Sequence, residues 1–359
     1  MPDDTVTIDF PTMERFMVDV FTGQGVPEDE ARICADVLLT ADKRGIDSHG
    51  INRMKPFYYD RIMSGMQKPV TEFEILREGP TTAVVDGHTG MGHVIGKRAM
   101  DMAISKAREF GMGMVAVRNS THYGIAGYYP LMAAEQDMIG ITGTNARPAV
   151  VPTFGVEGMF GTNPLTIGFP TDEEFPFCID CATSQSQRGK IEVAARKGED
   201  IPAGWIIGED GQVRTDSEQI LIDLVKGKAA FVPLGGVGEE TGGYKGYGYA
   251  TAVEVLCAAL QAGPFLQAIT GVNLGHFFMA IDISAFVEPA EFRKTAGDIM
   301  RDLRQARKMP GAKRIYTAGE KEYLFTLERE RTGMVLNESL RSDMTTMRDE
   351  LGLSGYDFL

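Results

Sequence analysis

Apolar and polar positions along the chain alternate between helical and strand-like periods. Residues 11–22 repeat apolar side chains at helical spacing. The stretch from Pro27 to Lys43 does the same, with Pro at its first turn, Glu28-Asp29-Glu30 against the positive dipole end, and Gly45 after its end. Residues 71–77 and 81–86 read as strands, 94–109 as a helix and 112–118 as a strand. A helix near 126–137 leads to a strand over 138–144. Buried-strand patterns follow at 165–169 (LTIGF) and 177–181 (FCIDC), then a helix over 186–197 and a hairpin turn at 208–212 (GEDGQ). A glycine-dense stretch precedes an apolar helix over 247–262; a strand over 276–284 and helices over 289–307 and 337–351 close the pattern. Strands interleaved with helices predict an α/β fold in layers.

The 359 residues exceed twice the roughly 150 residues of one domain, so two lobes are expected. No apolar run reaches the roughly 18 residues of a membrane helix. The opening Met1-Pro2-Asp3-Asp4 is acidic and lacks the pattern of a leader, so a cytoplasmic protein is expected. Against 36 basic residues stand 50 acidic ones, a net charge of −14. Without a basic run, neither nucleic acid nor an anionic membrane is an expected partner. An anionic substrate would need inward-facing Arg or Lys to reverse the local field. The four cysteines make no disulfide framework. Cys178 and Cys181 form a CxxC without a second ligand pair, in a strand-like run, so no metal site is expected there; Cys34 and Cys257 read as core.

The segment 81–100 reads strand, glycine turn, helix, with Gly90, Gly92 and Gly96 approximating a dinucleotide fingerprint. The spacing misses by one residue, and the acid expected about 20 residues on is absent. A tight strand-to-helix turn, with His88 and His93 on its surface, is the better reading.

Of five histidines, two lie in polar, glycine-flanked loops. His49 stands in Asp47-Ser48-His49-Gly50, four residues before Arg53 and close to Tyr58-Tyr59; His122 stands in Asn119-Ser120-Thr121-His122-Tyr123-Gly124, just past a strand. Open α/β sheets bind ligands beyond the carboxyl ends of strands, which favours His122. An imidazole of pKa about 6.5 exchanges protons near neutrality, as alcohol–carbonyl interconversion requires. An Arg fork matches a carboxylate beside the reacting carbon; Arg53 and Arg147 are the candidates. Around Lys245, residues 234–250 hold many glycines whose backbone amides and Lys suit a diphosphate, with Gly246 and Gly248 opening the following helix. Asp180 ends a strand, where an acid either receives ribose hydroxyls or caps the helix over 186–197.

Six segments run in order over nearly the whole chain: RGIDSHGINR (44–53), NSTHYGIAGYY (119–129), GTNPL (161–165), DCAT (180–183), GGYKGYG (242–248) and GHFF (275–278). Together they resemble the malate/L-lactate dehydrogenase family that is unrelated to the Rossmann-fold enzymes, nearest its malate and sulfolactate branch. The resemblance implies a three-layer α/β/α fold with a mixed sheet, not a classical Rossmann domain. It implies a helical and substrate or dimerisation lobe over 1–120 plus 285–359 and an NAD-binding lobe over 121–284, in a homodimer or larger assembly. It implies hydride transfer between NAD (or NADP) and a small 2-hydroxy or 2-oxo acid such as (S)-malate; ureidoglycolate, sulfolactate and cyclic imines are the alternatives. His122 is expected as the proton-transfer residue, with His49 orienting substrate or nicotinamide. Ser48, Arg53, Asn145 and Arg147 would bind substrate. Asp180, Cys181, Ala182, Thr183, Tyr244, Lys245, Gly319 and Glu320 would line the cofactor, although Ala318 replaces the family's usual Pro.

Overall fold

A computed structural model describes residues 5–359; the acidic opening Met1–Asp4 lies outside the described residues. In chain order the elements are β1 (Val6–Ile8), α1 (Phe10–Gly23), α2 (Glu28–Lys43), an irregular helical stretch over 51–59, α3 (Asp60–Met63), β2 (Glu74–Glu78), β3 (Thr82–Asp86), α4 (Gly92–Phe110) and β4 (Met112–Ser120). Then come α5 (Tyr128–Ala134), β5 (Met138–Thr144), β6 (Leu165–Phe169), β7 (Phe177–Cys181), α6 (Arg188–Lys197), β8 (Ile206–Gly208), β9 (Val213–Arg214), α7 (Ser217–Lys226) and β10 (Ala229–Phe231). The chain closes with α8 (Gly243–Ala258), β11 (Leu274–Asp282), α9 (Pro289–Gln305), α10 (Glu320–Thr332), β12 (Met334–Leu336) and α11 (Glu338–Leu351).

Seven strands form the central sheet in the order β2-β3-β4-β11-β5-β6-β7. Only β3 and β4 run parallel, so the sheet is mixed. The pleat of β11 explains the layers: Phe278 and Ala280 join a core with α4 and α5, while Phe277 packs with Val253 and Cys257 of α8 on the other face. This is the expected α/β/α sandwich. The boundary expected at residue 120 falls at the end of β4 within this sheet, where β4 pairs with β11, so the two expected lobes share it.

Two satellites flank the sandwich. α1, α2 and α11 pack around Phe16, Phe21, Leu38 and Met344, with β1 paired to β12. A three-stranded sheet, β10-β8-β9, packs with α6 around Phe160, Ile191, Ile206 and Phe231. The longer elements that were not expected include α7 and α10, and the short strands β1, β10 and β12 and the one-turn α3 were not expected either. In α10 the apolar residues Leu324, Phe325 and Leu327 are all exposed, so its sequence carries no buried stripe to betray a helix. α8 begins four residues earlier than expected because Gly243 and Gly246 let its first turn lie on residues 234–238. A Cβ there would fall 2.0 Å from the Gly236 carbonyl and 2.3 Å from that of Leu234. Close packing, not an open phosphate cradle, accounts for these two glycines.

Candidate active site

The register gathers the site at one end of the sheet. β4 ends at Ser120, opposite Leu274 at the start of β11; β5 ends at Thr144, opposite His276. His122 follows β4, and Asn145 follows β5. The glycine turn builds the His122 loop from behind. Thr121 Oγ1 accepts from the Gly92 N–H at 2.9 Å and donates to the Gly90 carbonyl at 2.8 Å. A Cβ on Gly92 would lie 2.4 Å from the carbonyl oxygens of Thr121 and His122, so only glycine admits this approach. The turn is thus a packing device. His88, at its surface, pairs with Glu74 at 2.7 Å. His93 corrects the expectation: it is fully buried, its ring 4.5 Å from that of Tyr58, because the first turn of α4 points inward beneath the loop.

The two loop histidines meet. Their rings stack 5.7 Å apart at 21°. The Gly124 N–H donates to His122 Nδ1 at 3.3 Å, which makes that nitrogen an acceptor, so the Tyr58 hydroxyl 2.5 Å away donates to it. The proton of the neutral ring then sits on Nε2. Burial, then the charges of His49, His93, Arg53 and Arg61, hold His122 well below the ordinary histidine range. Burial and Arg53 lower His49 to about 4. Both rings are therefore neutral at pH 7. His49 Nδ1 lies 2.9 Å from Ser48 Oγ.

Asp42 anchors the His49 loop. Its carboxylate accepts from the Ile51 N–H at 2.9 Å, and a Cβ on Gly50 would overlap it at 1.9 Å. Burial raises Asp42 to about 8, so it is largely protonated at pH 7. Arg329 of α10 donates to the Asp42 carbonyl and to Asp47, tying the loop to the C-terminal helices. Sequence reasoning missed Asp42, Arg329 and the pairing of Tyr58 with His122.

Arg53 Nε donates to the Ser48 carbonyl at 2.5 Å, and its guanidinium lies 4.8 Å from the Phe57 ring centre. Phe57 in turn lies 5.1 Å from His122. Buried Asn145 accepts from the Gly275 N–H through Oδ1 at 2.8 Å, leaving Nδ2 without a partner. Arg147 is exposed, and its side chain rests against Gly271. Asn163 donates to Glu254 at 2.8 Å and leaves a buried Oδ1 unpartnered. Thr183 Oγ1 donates to the Asn163 carbonyl at 2.9 Å, and its own carbonyl accepts from the Leu234 N–H at 2.8 Å. A continuous surface thus links Thr183 to residues 234–238 and the start of α8. Cys181 and Ala182 are half-buried beside it; Tyr244 and Lys245 are exposed on the first turn of α8.

Three expected cofactor residues are engaged within the protein. Asp180 accepts from the Gly127 N–H at 2.7 Å and the Thr166 hydroxyl at 3.2 Å, so it caps α5, not the helix over 188–197. Gly319 (φ 92°) lies near the beginning of β7, at the end opposite Thr183; a Cβ there would sit 2.6 Å from the Pro176 carbonyl. Glu320 is buried in ion pairs with Arg314 and Arg304.

A family model described as malate/L-lactate dehydrogenase matches residues 8–345. The chain belongs to this family. It is 42% identical to the malate dehydrogenase of Pyrococcus horikoshii over 345 residues, 95% of this chain and 94% of that protein. It is 36% identical to the L-sulfolactate dehydrogenase of Methanocaldococcus jannaschii, over 96% of this chain and 97% of that one. The crystal structure of malate dehydrogenase from Entamoeba histolytica superposes with a TM-score of 0.95 at 44% identity, covering 98% and 100% of the two chains. The chain is thus a dehydrogenase of the malate and sulfolactate type, acting on 2-hydroxy acids. No helix among the described residues is long and apolar enough to cross a membrane.

Proposed function

We propose that this enzyme interconverts (S)-malate, or a close 2-hydroxy acid, and its 2-oxo acid by hydride transfer, with NAD as cofactor and NADP as the alternative. One observation carries the reading: two neutral, stacked imidazoles stand beside arginines at the carboxyl ends of β4 and β5. Arg53 grips the carboxylate next to the reacting carbon through its free guanidinium nitrogens. In reduction the doubly protonated His122 gives its Nε2 proton to the carbonyl oxygen and is left neutral with its remaining proton on Nδ1, where the Tyr58 oxygen accepts it; in oxidation the bare Nε2 takes the proton back. The Tyr58 hydroxyl can donate to or accept from Nδ1, so it serves both protonation states of the ring. A bound carboxylate offsets the charges of Arg53 and Arg61, two of the groups that keep His122 neutral, and so raises its proton affinity as substrate arrives. Ser48 and His49 orient substrate or nicotinamide.

The residues present fit a nicotinamide cofactor. The unpartnered Asn145 Nδ2 and Asn163 Oδ1 offer the donor and acceptor that a carboxamide complements. Cys181, Ala182 and Thr183 would line the cofactor between them and α8, whose N-terminus, with Tyr244 and Lys245, suits a diphosphate. Asp180 supports this wall from behind, and Gly319-Glu320 fix its far edge. When bound, the nicotinamide supplies or receives the hydride.

Exposed Val255 and Phe265 near α8, and Leu324 and Leu327 on α10, favour a homodimer or larger assembly, which sedimentation would measure. The function is tested by following the NADH absorbance with oxaloacetate, pyruvate and related oxo acids, and repeating with NADPH. Turnover of oxaloacetate is expected; no turnover of any of them rejects the reading. The sulfolactate-type relatives make a sulfonate analogue the second substrate to try.

A further inference from the structure

Arg61 lies in the polar stretch after Arg53; beyond the effect of its charge on His122, it has been given no contact with substrate above. Its guanidinium is 4.7 Å from the centre of the Phe57 ring that Arg53 also covers. Its Nη1 donates to the Gly271 carbonyl at 3.0 Å. Gly271 (φ 96°) is in the turn before β11, and Arg147 approaches the same residue: a Cβ on Gly271 would lie 3.0 Å from Arg147 Cδ and 3.3 Å from its Nε. Buried Gly271 is thus approached by two guanidinium-bearing side chains.

Their charges are not neutralised. In a chain with 50 acidic residues, Arg53, Arg61 and Arg147 each have no carboxylate partner among the described residues. The acid whose charge acts on Arg53, Glu192, is already paired with Arg188 at 2.8 Å. Arg61 and Arg147 repel each other, and Arg61 is half-buried as well. Arg61 commits one of its five N–H donors to Gly271. A half-buried guanidinium with a second positive charge beside it and no counter-ion is unfavourable unless a ligand anion completes the pair. One ligand carboxylate is provided for by Arg53, so this pair calls for a second acidic group.

We propose that Arg61 and Arg147, held by Gly271, form a subsite for the distal acidic group, carboxylate or sulfonate, of a dianionic 2-oxo acid whose first carboxylate binds Arg53. This rests on the dehydrogenase reading and adds to it the residues that select the second acidic group. Phe57 is the spacer: its ring lies under both guanidinium groups and beside His122, so the two anchors flank the reacting position.

The experiment compares kcat/KM for oxaloacetate, sulfopyruvate and 2-oxobutanoate, which lacks the distal charge, in the wild type, Arg147→Gln and Arg61→Lys. Arg147 is exposed, so its replacement leaves the core intact. A lost charged hydrogen bond of about 1.5–3 kcal/mol lowers the ratio of oxaloacetate to 2-oxobutanoate by about 10–150-fold in Arg147→Gln, mainly through KM. Arg61→Lys, which keeps the charge but not the fork, lowers it less. The two dianions tell a carboxylate pocket from a sulfonate pocket. An unchanged ratio in both variants overturns the subsite. Thermal shifts with malonate and propionate provide a readout free of turnover. Stabilisation by malonate alone, lost in Arg147→Gln, upholds the subsite even if no oxo acid is turned over. Equal shifts with both acids overturn it.

Discussion

Tyr58→Phe isolates one contact of the proposed proton-transfer group. The ring of Tyr58 is fully buried, packed 4.5 Å from His93 and 6.3 Å from Phe21, and phenylalanine fills the same space. What disappears is the hydroxyl 2.5 Å from His122 Nδ1. With a neutral imidazole this is an ordinary hydrogen bond; once His122 is protonated, its Nδ1–H has the Tyr58 oxygen as acceptor, a charge-assisted bond worth about 1.5–3 kcal/mol. The variant therefore destabilises the protonated ring selectively. Reduction, which consumes that proton, slows by about 10–150-fold in kcat. The pH profile gives the sign: lower proton affinity in the variant moves the alkaline fall of reductive kcat to lower pH. The assay is kcat for oxaloacetate reduction across pH 5–9, with the melting temperature as a control for folding. A kcat within twofold of wild type, with an unmoved profile, refutes the positioning argument.

Gly92→Ala places a methyl 2.4 Å from two backbone carbonyls of the His122 loop, which cannot yield as a flexible side chain would; overpacking of this kind costs about 1–3 kcal/mol, and urea melts should record it together with lost activity. Asp42, raised to about 8 against about 3.9 unfolded, holds more protons folded than unfolded between those values. Its contribution is complete below the unfolded value and is lost as pH rises through the folded one, at a slope of up to about 1.4 kcal/mol per pH unit. Asp42→Asn, which keeps an acceptor for the Ile51 N–H, should flatten that decline in melts between pH 6 and 9; an unchanged slope contradicts the assignment.

The sequence made the local devices legible. His49 and His122 were visible as imidazoles in short polar loops with glycine beside them, and the strand period placed the second at the end of β4. The spacing defect in Gly90, Gly92 and Gly96 argued for a plain strand-to-helix turn, and the structure packs Gly92 against the His122 loop. What it left hidden is what distance in the chain conceals. Tyr58 and His122 stand 64 residues apart, and no periodicity links them. Arg61 and Arg147 lie far apart in the chain, and only the fold brings both of them to Gly271. His93 was expected at the surface because a glycine turn reads as exposed, but α4 buries its first turn against the loop it supports. Asp180 was read either for ribose hydroxyls or as a cap for the helix over 186–197, and no periodicity showed that its carboxylate meets the start of α5.

The proton-transfer role of His122 is tested most directly by His122→Ala assayed for oxaloacetate reduction at saturating NADH, with His49→Ala alongside. The account predicts a fall in kcat of about 10²–10⁴-fold for His122→Ala, greater than that for His49→Ala. Near-normal turnover in His122→Ala, with activity abolished in His49→Ala, would contradict it and move the proton to the other ring.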